Sequence, residues 1–144
     1  MKAVLPALFL AVAAASSPAL AEGDVTIADR ARKELLDALR PAVEQDLGQP
    51  VRFVVRKLRV EGGWAFAYVR PQTPDGRPID FTKTRHAERV EAGVFDGDDL
   101  FALLQRKAGR WTVREFVIGP TDVAYAAWPD DYGVSYELIG LAAP

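Results

Sequence analysis

Cysteine is absent from this chain of 144 residues, and the sequence holds a single histidine, His86. Without cysteine the protein cannot form a disulfide, even in an oxidising compartment. The usual zinc sites, which combine cysteine and histidine ligands, are excluded within one chain for the same reason. A thiol for lipid attachment is also missing, so we expect a soluble product.

Serine is scarce as well, since Ser135 is the only serine beyond Ala21. It lies in the segment Gly-Val-Ser-Tyr-Glu, where a nucleophile elbow would require glycine in place of Glu137. The sequence contains neither a Walker-type phosphate loop nor a dinucleotide-binding fingerprint. It therefore lacks a recognisable catalytic set, and we expect neither a metal ion nor a cofactor.

A strong excess of charge of either sign is also missing, since the formal net charge is −2 with 26% charged residues. Nucleic-acid binding favours a basic face, and no block of basic residues occurs in this acidic chain. We therefore exclude nucleic acid as an expected partner.

Apolar residues are concentrated at the start of the chain. Lys2 precedes an apolar run over residues 3–15, and the small-residue pattern Ala19-Leu20-Ala21 follows. This arrangement predicts that residues 1–21 are a secretory signal peptide cleaved after Ala21. The run is shorter than the about twenty apolar residues of a membrane span. We expect a periplasmic or secreted protein without stable membrane insertion after cleavage, in which residues 22–144 form one domain.

The first segment of this domain has a helical pattern. Between Thr26 and Gly48, apolar residues recur at every fourth position and predict an amphipathic helix with one buried stripe. Pro41 lies inside this span, and its missing amide predicts a kink or a break after Leu39. The stripe consists of Ile27, Ala31, Leu35, Leu39, Val43 and Leu47.

Two predicted hairpins follow, over residues 51–70 and 100–118. A change of parity in the first strand predicts a β-bulge. In the last strand Trp111, Val113 and Val117 are expected on one face. Residues 79–82 could add a short strand. Near the C-terminus, Thr121 is expected to cap a short helix over residues 123–128 that ends at Pro129.

These elements predict an α+β fold, with a kinked N-terminal helix on a curved antiparallel sheet of about four to five strands and a short C-terminal helix. The element order and the segment Leu100–Val113, with Gly-Arg-Trp-Thr-Val at its end, resemble the cystatin-like and NTF2-like α+β families. This resemblance implies a group that includes isomerases, dehydratases, inhibitors and domains without chemistry, so it does not select one function. Only a helix and a half precede the sheet, which departs from the NTF2-like pattern.

Three polar residues are candidates for catalysis. His86 could form an acid–base pair with Asp80 or with Glu88, because imidazole titrates near neutral pH. The alternative is a solvent-facing histidine in a polar segment. Asp122 lies at a chain corner after the last strand, where functional side chains are common, and its alternative role is helix capping.

An aromatic series near the C-terminus is a candidate binding site. Tyr125, Trp128 and Tyr132 could present a stacking surface to a sugar, a peptide or a protein. The alternative is that these rings pack against the open side of the sheet, since large aromatic residues are mostly buried.

The favoured hypothesis is a non-enzymatic exported domain that binds a small ligand or a protein partner. Binding would use the concave face of the sheet or the aromatic C-terminal segment. The alternative is an NTF2-like enzyme of isomerase or lyase type, with a carboxylate base such as Asp80 or Asp122 in the sheet cavity. A hydrolase inhibitor ranks last, because the cystatin motif Gln-x-Val-x-Gly is absent.

Overall fold

The protein is described by a computed structural model over residues 29–144. The predicted signal peptide and the first positions of the predicted helix lie outside the described residues. The order of elements is one long helix, two hairpins separated by an irregular segment, and a C-terminal segment with a short helix. This is the predicted α+β class.

Helix α1 spans Asp29–Leu47 and is continuous through Pro41, so the predicted break is wrong and the predicted kink is not confirmed. Pro41 is exposed, whereas Leu39 and Val43 on either side of it are completely buried. The helix is therefore held against the sheet on both sides of the proline, and tertiary packing outweighs the missing amide hydrogen bond.

The sheet has four antiparallel strands, and each strand pairs with its neighbour in sequence. The strands are β1 Arg52–Glu61, β2 Trp64–Gln72, β3 Leu100–Lys107 and β4 Arg110–Ile118. The bulge predicted in β1 is confirmed, because the register shifts between Val55 and Lys57. A second shift between Leu103 and Leu104 of β3 shows an unpredicted bulge in the β3–β4 ladder. Each bulge adds one residue, so the side chains after it point to the opposite face from the one that simple alternation gives. The apolar residues of a strand therefore stay on one face only if they shift by one position at the bulge.

Helix α1 covers one face of this sheet and forms the larger hydrophobic core. Its stripe packs against alternate residues of the strands, including Leu58, Val69 and Leu104. Trp111 and Val113 lie on this face, as expected, and Trp111 is half-buried. Val117 does not belong to this face, because Phe116 and Ile118 continue it after the bulge.

The C-terminal segment covers the opposite face and forms a second core. Phe66 of β2 and Leu103 of β3 are buried there beneath Trp128, Val134, Leu138 and Ile139. Both faces of the sheet are therefore covered within the described residues. The C-terminal segment thus occupies the central part of the sheet face that α1 leaves open.

The segment between the hairpins contains no additional strand. Ile79 is buried in a loop, a 3₁₀ helix spans Phe81–Lys83, and α2 spans Ala87–Glu91. Asp80 stabilises the 3₁₀ helix by accepting a hydrogen bond from the Thr82 amide at 3.1 Å. Local side-chain capping of this kind competes with strand formation, which explains why the expected short strand over residues 79–82 is wrong.

The C-terminal helix begins later than predicted. A 3₁₀ helix spans Ala124–Ala127, and α3 spans Trp128–Tyr132. Pro129 lies in the first turn of α3, where a missing amide costs nothing, so it starts a helix instead of ending one. Thr121 is not the N-cap, since Val123 occupies that position without a side-chain hydrogen bond. Among residues 29–144, no helix has the length and apolar character needed to cross a lipid bilayer.

Candidate ligand-binding cleft

A cleft of about 520 Å³ lies where the last turn of α1, the segment before α2 and the end of β4 meet. Its volume falls within the usual range for sites that bind small molecules. We call it the His86 cleft. Its lining residues are Asp46, Arg85, His86, Arg89, Phe116, Val117, Ile118, Pro120, Thr121, Asp122 and Ala124.

His86 and Asp46 form the polar base of the cleft. The His86 Nε2 atom lies 2.6 Å from the Asp46 Oδ2 atom, and each side chain is only 12% exposed. His86 is therefore not the solvent-facing residue expected from its polar neighbours. Its acidic partner is Asp46, which lies 40 positions earlier on α1, and not Asp80 or Glu88.

Arg89 occupies the other side of the imidazole ring, with its Nη1 atom 3.4 Å from His86 Nδ1. Because a guanidinium group can only donate, this contact fits the neutral tautomer that has its lone pair on Nδ1 and its proton on Nε2. Nε2 then donates to Asp46. Both ring nitrogens are thus engaged within the protein, so neither presents a free lone pair to a substrate.

The same arginine joins the segment around α2 to the end of β4. Its Nη1 atom donates to the Ile118 carbonyl at 3.1 Å, and its Nη2 atom donates to the Gly119 carbonyl at 3.2 Å. The guanidinium group also lies over the Phe95 ring, 5.1 Å from the centroid. Arg89 therefore fixes the shape of the cleft.

Gly119 allows the Phe95 ring to lie close to the backbone at the end of β4. Its φ is +61°, and a Cβ atom at this position would lie 2.7 Å from the Phe95 ring. A larger residue would therefore push Phe95 away from the end of β4 and strain the backbone.

Arg85 lies at the solvent side of the cleft. Its Nη1 atom contacts the Asp46 Oδ1 atom at 3.1 Å, while 71% of its side chain remains exposed. A single contact leaves most of the donors of this guanidinium group available. Arg85 can therefore bind an anionic group that enters the cleft.

Asp122 follows β4 and lines the same cleft. It is exposed, and within residues 29–144 its carboxylate makes no hydrogen bond or ion pair. The alternative role predicted for it, helix capping, is wrong because the following 3₁₀ helix has no side-chain cap. The structure thus brings together two of the three candidate catalytic residues, His86 and Asp122.

Asp80 is the third candidate, and it is not among the residues that line the cleft. Its carboxylate is exposed and is held by the Thr82 side chain, which lowers the pKa of Asp80 from its ordinary value. A lowered pKa makes this exposed carboxylate a weak base. The structure gives it a local structural role at the start of the 3₁₀ helix.

The aromatic candidates lie in the second core. Trp128 is 1% exposed and packs edge-on against Phe66 with ring centroids 6.3 Å apart, so it cannot present a surface to a partner. Tyr125 is half-buried and lies 4.5 Å from the Phe101 centroid. Burial raises the pKa of Tyr125, as expected for a phenol that is partly removed from water.

Tyr132 is also half-buried, and its hydroxyl donates to the Glu115 Oε2 atom at 2.7 Å. This hydrogen bond to a carboxylate raises the pKa of Tyr132, because ionisation would place two negative charges side by side. The ring tilts against Trp64 with centroids 6.0 Å apart. Packing in the second core therefore accounts for Trp128, while Tyr125 and Tyr132 pack against it with part of each ring still exposed.

Asp46 and Arg89 are the functional residues that sequence reasoning missed. Asp46 looked like one of several solvated acids on the polar side of the helix. The available signal was its position in the last turn before Leu47, where α1 meets the loops at the end of the sheet. Arg89 carried no signal, because its partners are backbone carbonyls.

Within the described part of the chain, no group of three or more acidic or histidine side chains is placed to hold a metal ion. Comparison with protein families, with curated proteins and with solved structures gives no significant match to this chain. The functional conclusion therefore depends on the cleft.

Proposed function

We propose that this chain is an exported, non-enzymatic domain that binds a small ligand in the His86 cleft. The observation that carries the proposal is the combination of an engaged imidazole with available donors on Arg85. A polar base beside an apolar wall is typical of sites that bind and orient a small molecule. The wall consists of Phe116, Val117, Ile118, Pro120 and Ala124.

Binding of a small ligand is favoured over binding of a protein through the sheet face or through the aromatic C-terminal segment. One sheet face is covered by α1, and the other is covered by the C-terminal segment. Large exposed apolar side chains are few in the described residues, namely Val60, Val94 and Val123. They do not form the large continuous apolar patch that often marks a protein interaction site.

An enzyme of isomerase or lyase type is the second candidate, and the open carboxylate of Asp122 in the cleft favours it. In such an enzyme Asp122 would act as the base, because it is the unengaged carboxylate of the cleft. A catalytic carboxylate is commonly buried beside its substrate, and Asp122 is exposed. Binding without chemistry is therefore the stronger proposal.

Filling the cleft tests the binding function. We expect a mixture of small organic acids, amines and amino acids to shift amide NMR signals of residues 84–89 and 116–124. Ala124→Trp should abolish these shifts, because Ala124 is an exposed residue that lines the cleft. The matched control is Ala126→Trp, because Ala126 is exposed nearby but is not a lining residue.

Two outcomes of this titration would contradict the proposal. The first is that no compound in the mixture shifts any signal. The second is that both tryptophan variants bind as the unchanged protein does. Conversion of a compound during the titration, if lost in Asp122→Ala, would favour the enzyme.

Export is the second part of the proposal and is tested separately. Its support is the pattern of Lys2, the apolar run and Ala19-Leu20-Ala21. We expect the protein recovered from its native host to begin at Glu22 when its N-terminus is sequenced. Recovery of chains that begin at Met1 from the cytoplasm would contradict export and would leave the binding function unaffected.

We also keep the relation to the cystatin-like and NTF2-like families as a proposal. It is supported by the order of a helix followed by antiparallel hairpins and by the Gly-Arg-Trp-Thr-Val segment at 109–113. The curvature of the sheet belongs to the same proposal. Nothing in the binding function depends on this relation.

A further inference from the structure

The His86 cleft contains two acidic and two arginine side chains, and the protein already uses some of them fully. Asp46 is engaged by Arg85 and His86, at 3.1 and 2.6 Å. Arg89 directs its terminal nitrogens to His86 and to the carbonyls at the end of β4. These groups build the cleft and have little capacity left for a ligand.

Arg85 and Asp122 have unused capacity. Arg85 is 71% exposed and makes one side-chain contact, to Asp46, among the described residues. Asp122 is exposed, and within the described range its carboxylate has no hydrogen-bonding partner. The two residues come from different segments, before α2 and after β4, yet they line one cleft. A strong donor and a strong acceptor are thus both open to a bound molecule.

We propose that the ligand is a small dipolar molecule, with a carboxylate bound by Arg85, an ammonium group bound by Asp122 and a short apolar chain between them. This inference rests on the proposed binding function and names the ligand class. Guanidinium groups bind carboxylates through paired hydrogen bonds, and a carboxylate is the natural partner of an ammonium group. The apolar chain would lie against Phe116 and Ile118, which line the cleft.

The charge of the cleft supports a ligand without net charge. The two acids and the two arginines that line the cleft carry opposite charges in equal number. A simple anion would gain from Arg85 but would be repelled by Asp122. A simple cation would be attracted by Asp122 but repelled by Arg85. Only a molecule with both charges complements both groups, since complementary charge patterns determine specificity.

The test is a calorimetric titration with ω-amino acids of increasing length, from glycine through β-alanine and γ-aminobutyrate to ε-aminocaproate. We expect one length to bind best, because the two charged ends of the ligand must reach Arg85 and Asp122 at the same time. Butyrate lacks the amine and butylamine lacks the acid. Each should bind at least about ten-fold more weakly than the amino acid of the same chain length, because one charge-assisted contact is lost.

Variants assign each end of the ligand. Arg85→Gln and Asp122→Asn should each weaken binding of the best amino acid by about ten-fold or more. Asp122→Lys should reverse the preference, so that glutarate binds better than γ-aminobutyrate. The control variants are Arg110→Gln and Asp130→Asn, because both residues are exposed and neither lines the cleft. Both controls should bind as the unchanged protein does.

The outcomes separate this inference from the proposed function. The dipolar ligand is wrong if butyrate binds as tightly as γ-aminobutyrate, if no ω-amino acid binds while other compounds occupy the cleft, or if Asp122→Asn leaves the affinity unchanged. In each of these cases the binding function stands. If no compound of the broader mixture binds, both proposals fail.

Discussion

Replacement of Trp128 by alanine is expected to lower the free energy of unfolding by about 3 to 5 kcal/mol. Trp128 is 1% exposed and is the largest of the fully buried side chains in the described residues. It contacts Phe66 and Tyr125 in the second core, with centroids 6.3 and 5.8 Å apart. Its removal would leave a cavity that the short C-terminal helix cannot close. Urea denaturation followed by circular dichroism measures the change.

Two further variants make this result interpretable. Trp128→Phe keeps part of the aromatic volume and should be destabilised less, which provides a folded protein if the alanine variant does not fold. Val123→Ala is the control, because Val123 is 49% exposed, and it should change stability by less than about 0.5 kcal/mol. A loss below about 1 kcal/mol in Trp128→Ala would show that the C-terminal segment is not packed as described.

Replacement of Arg89 by alanine is expected to lower the free energy of unfolding by about 2 to 3 kcal/mol. The substitution removes charge-assisted hydrogen bonds to the carbonyls of Ile118 and Gly119, at 3.1 and 3.2 Å. It also removes the contact with the Phe95 ring. Thermal unfolding monitored by tryptophan fluorescence measures the loss. Since Arg89 fixes the shape of the cleft, the same variant should no longer bind the compounds that occupy it.

Arg85 supplies a matched control for this experiment. It is an arginine of the same segment and the same cleft, but 71% of its side chain is exposed and its one side-chain contact is to Asp46. An ion pair with one largely exposed partner contributes at most about 1 kcal/mol, so Arg85→Ala should remain nearly as stable as the unchanged protein. Equal destabilisation by the two alanine variants would contradict the structural role of Arg89.

The fold was largely predictable because its main signals are local. The apolar stripe through Leu35, Leu39 and Val43 defines one helix face, and alternation defines the hairpins. The bulge in β1 was visible because both parts of that strand carry apolar residues of opposite parity. The bulge in the β3–β4 ladder was not visible in the sequence, because Val117 continues the alternation of Trp111 and Val113 as if no residue were inserted. Pro41 was misjudged because sequence alone does not show that packing on both sides holds the helix.

The site was predictable only in part, because it depends on contacts between distant segments. His86 and Asp122 were candidates from residue type and position, and the structure places both in one cleft. Asp46 could not be paired with His86 from the sequence, since 40 positions separate them and several nearer acids compete. Arg89 acts through backbone carbonyls, which every residue possesses, so no sequence pattern identifies it.

The pairing of each strand with its sequence neighbour has a consequence for the order of folding. The β1–β2 and β3–β4 hairpins close short loops, so each of them can form at a small cost in chain entropy. The C-terminal segment can bury Phe66 and Leu103 only after β2 and β3 are aligned beneath it. We therefore expect the second core to form last. Its amide protons should begin to exchange with solvent before those of the helix-covered side when the protein is mildly destabilised.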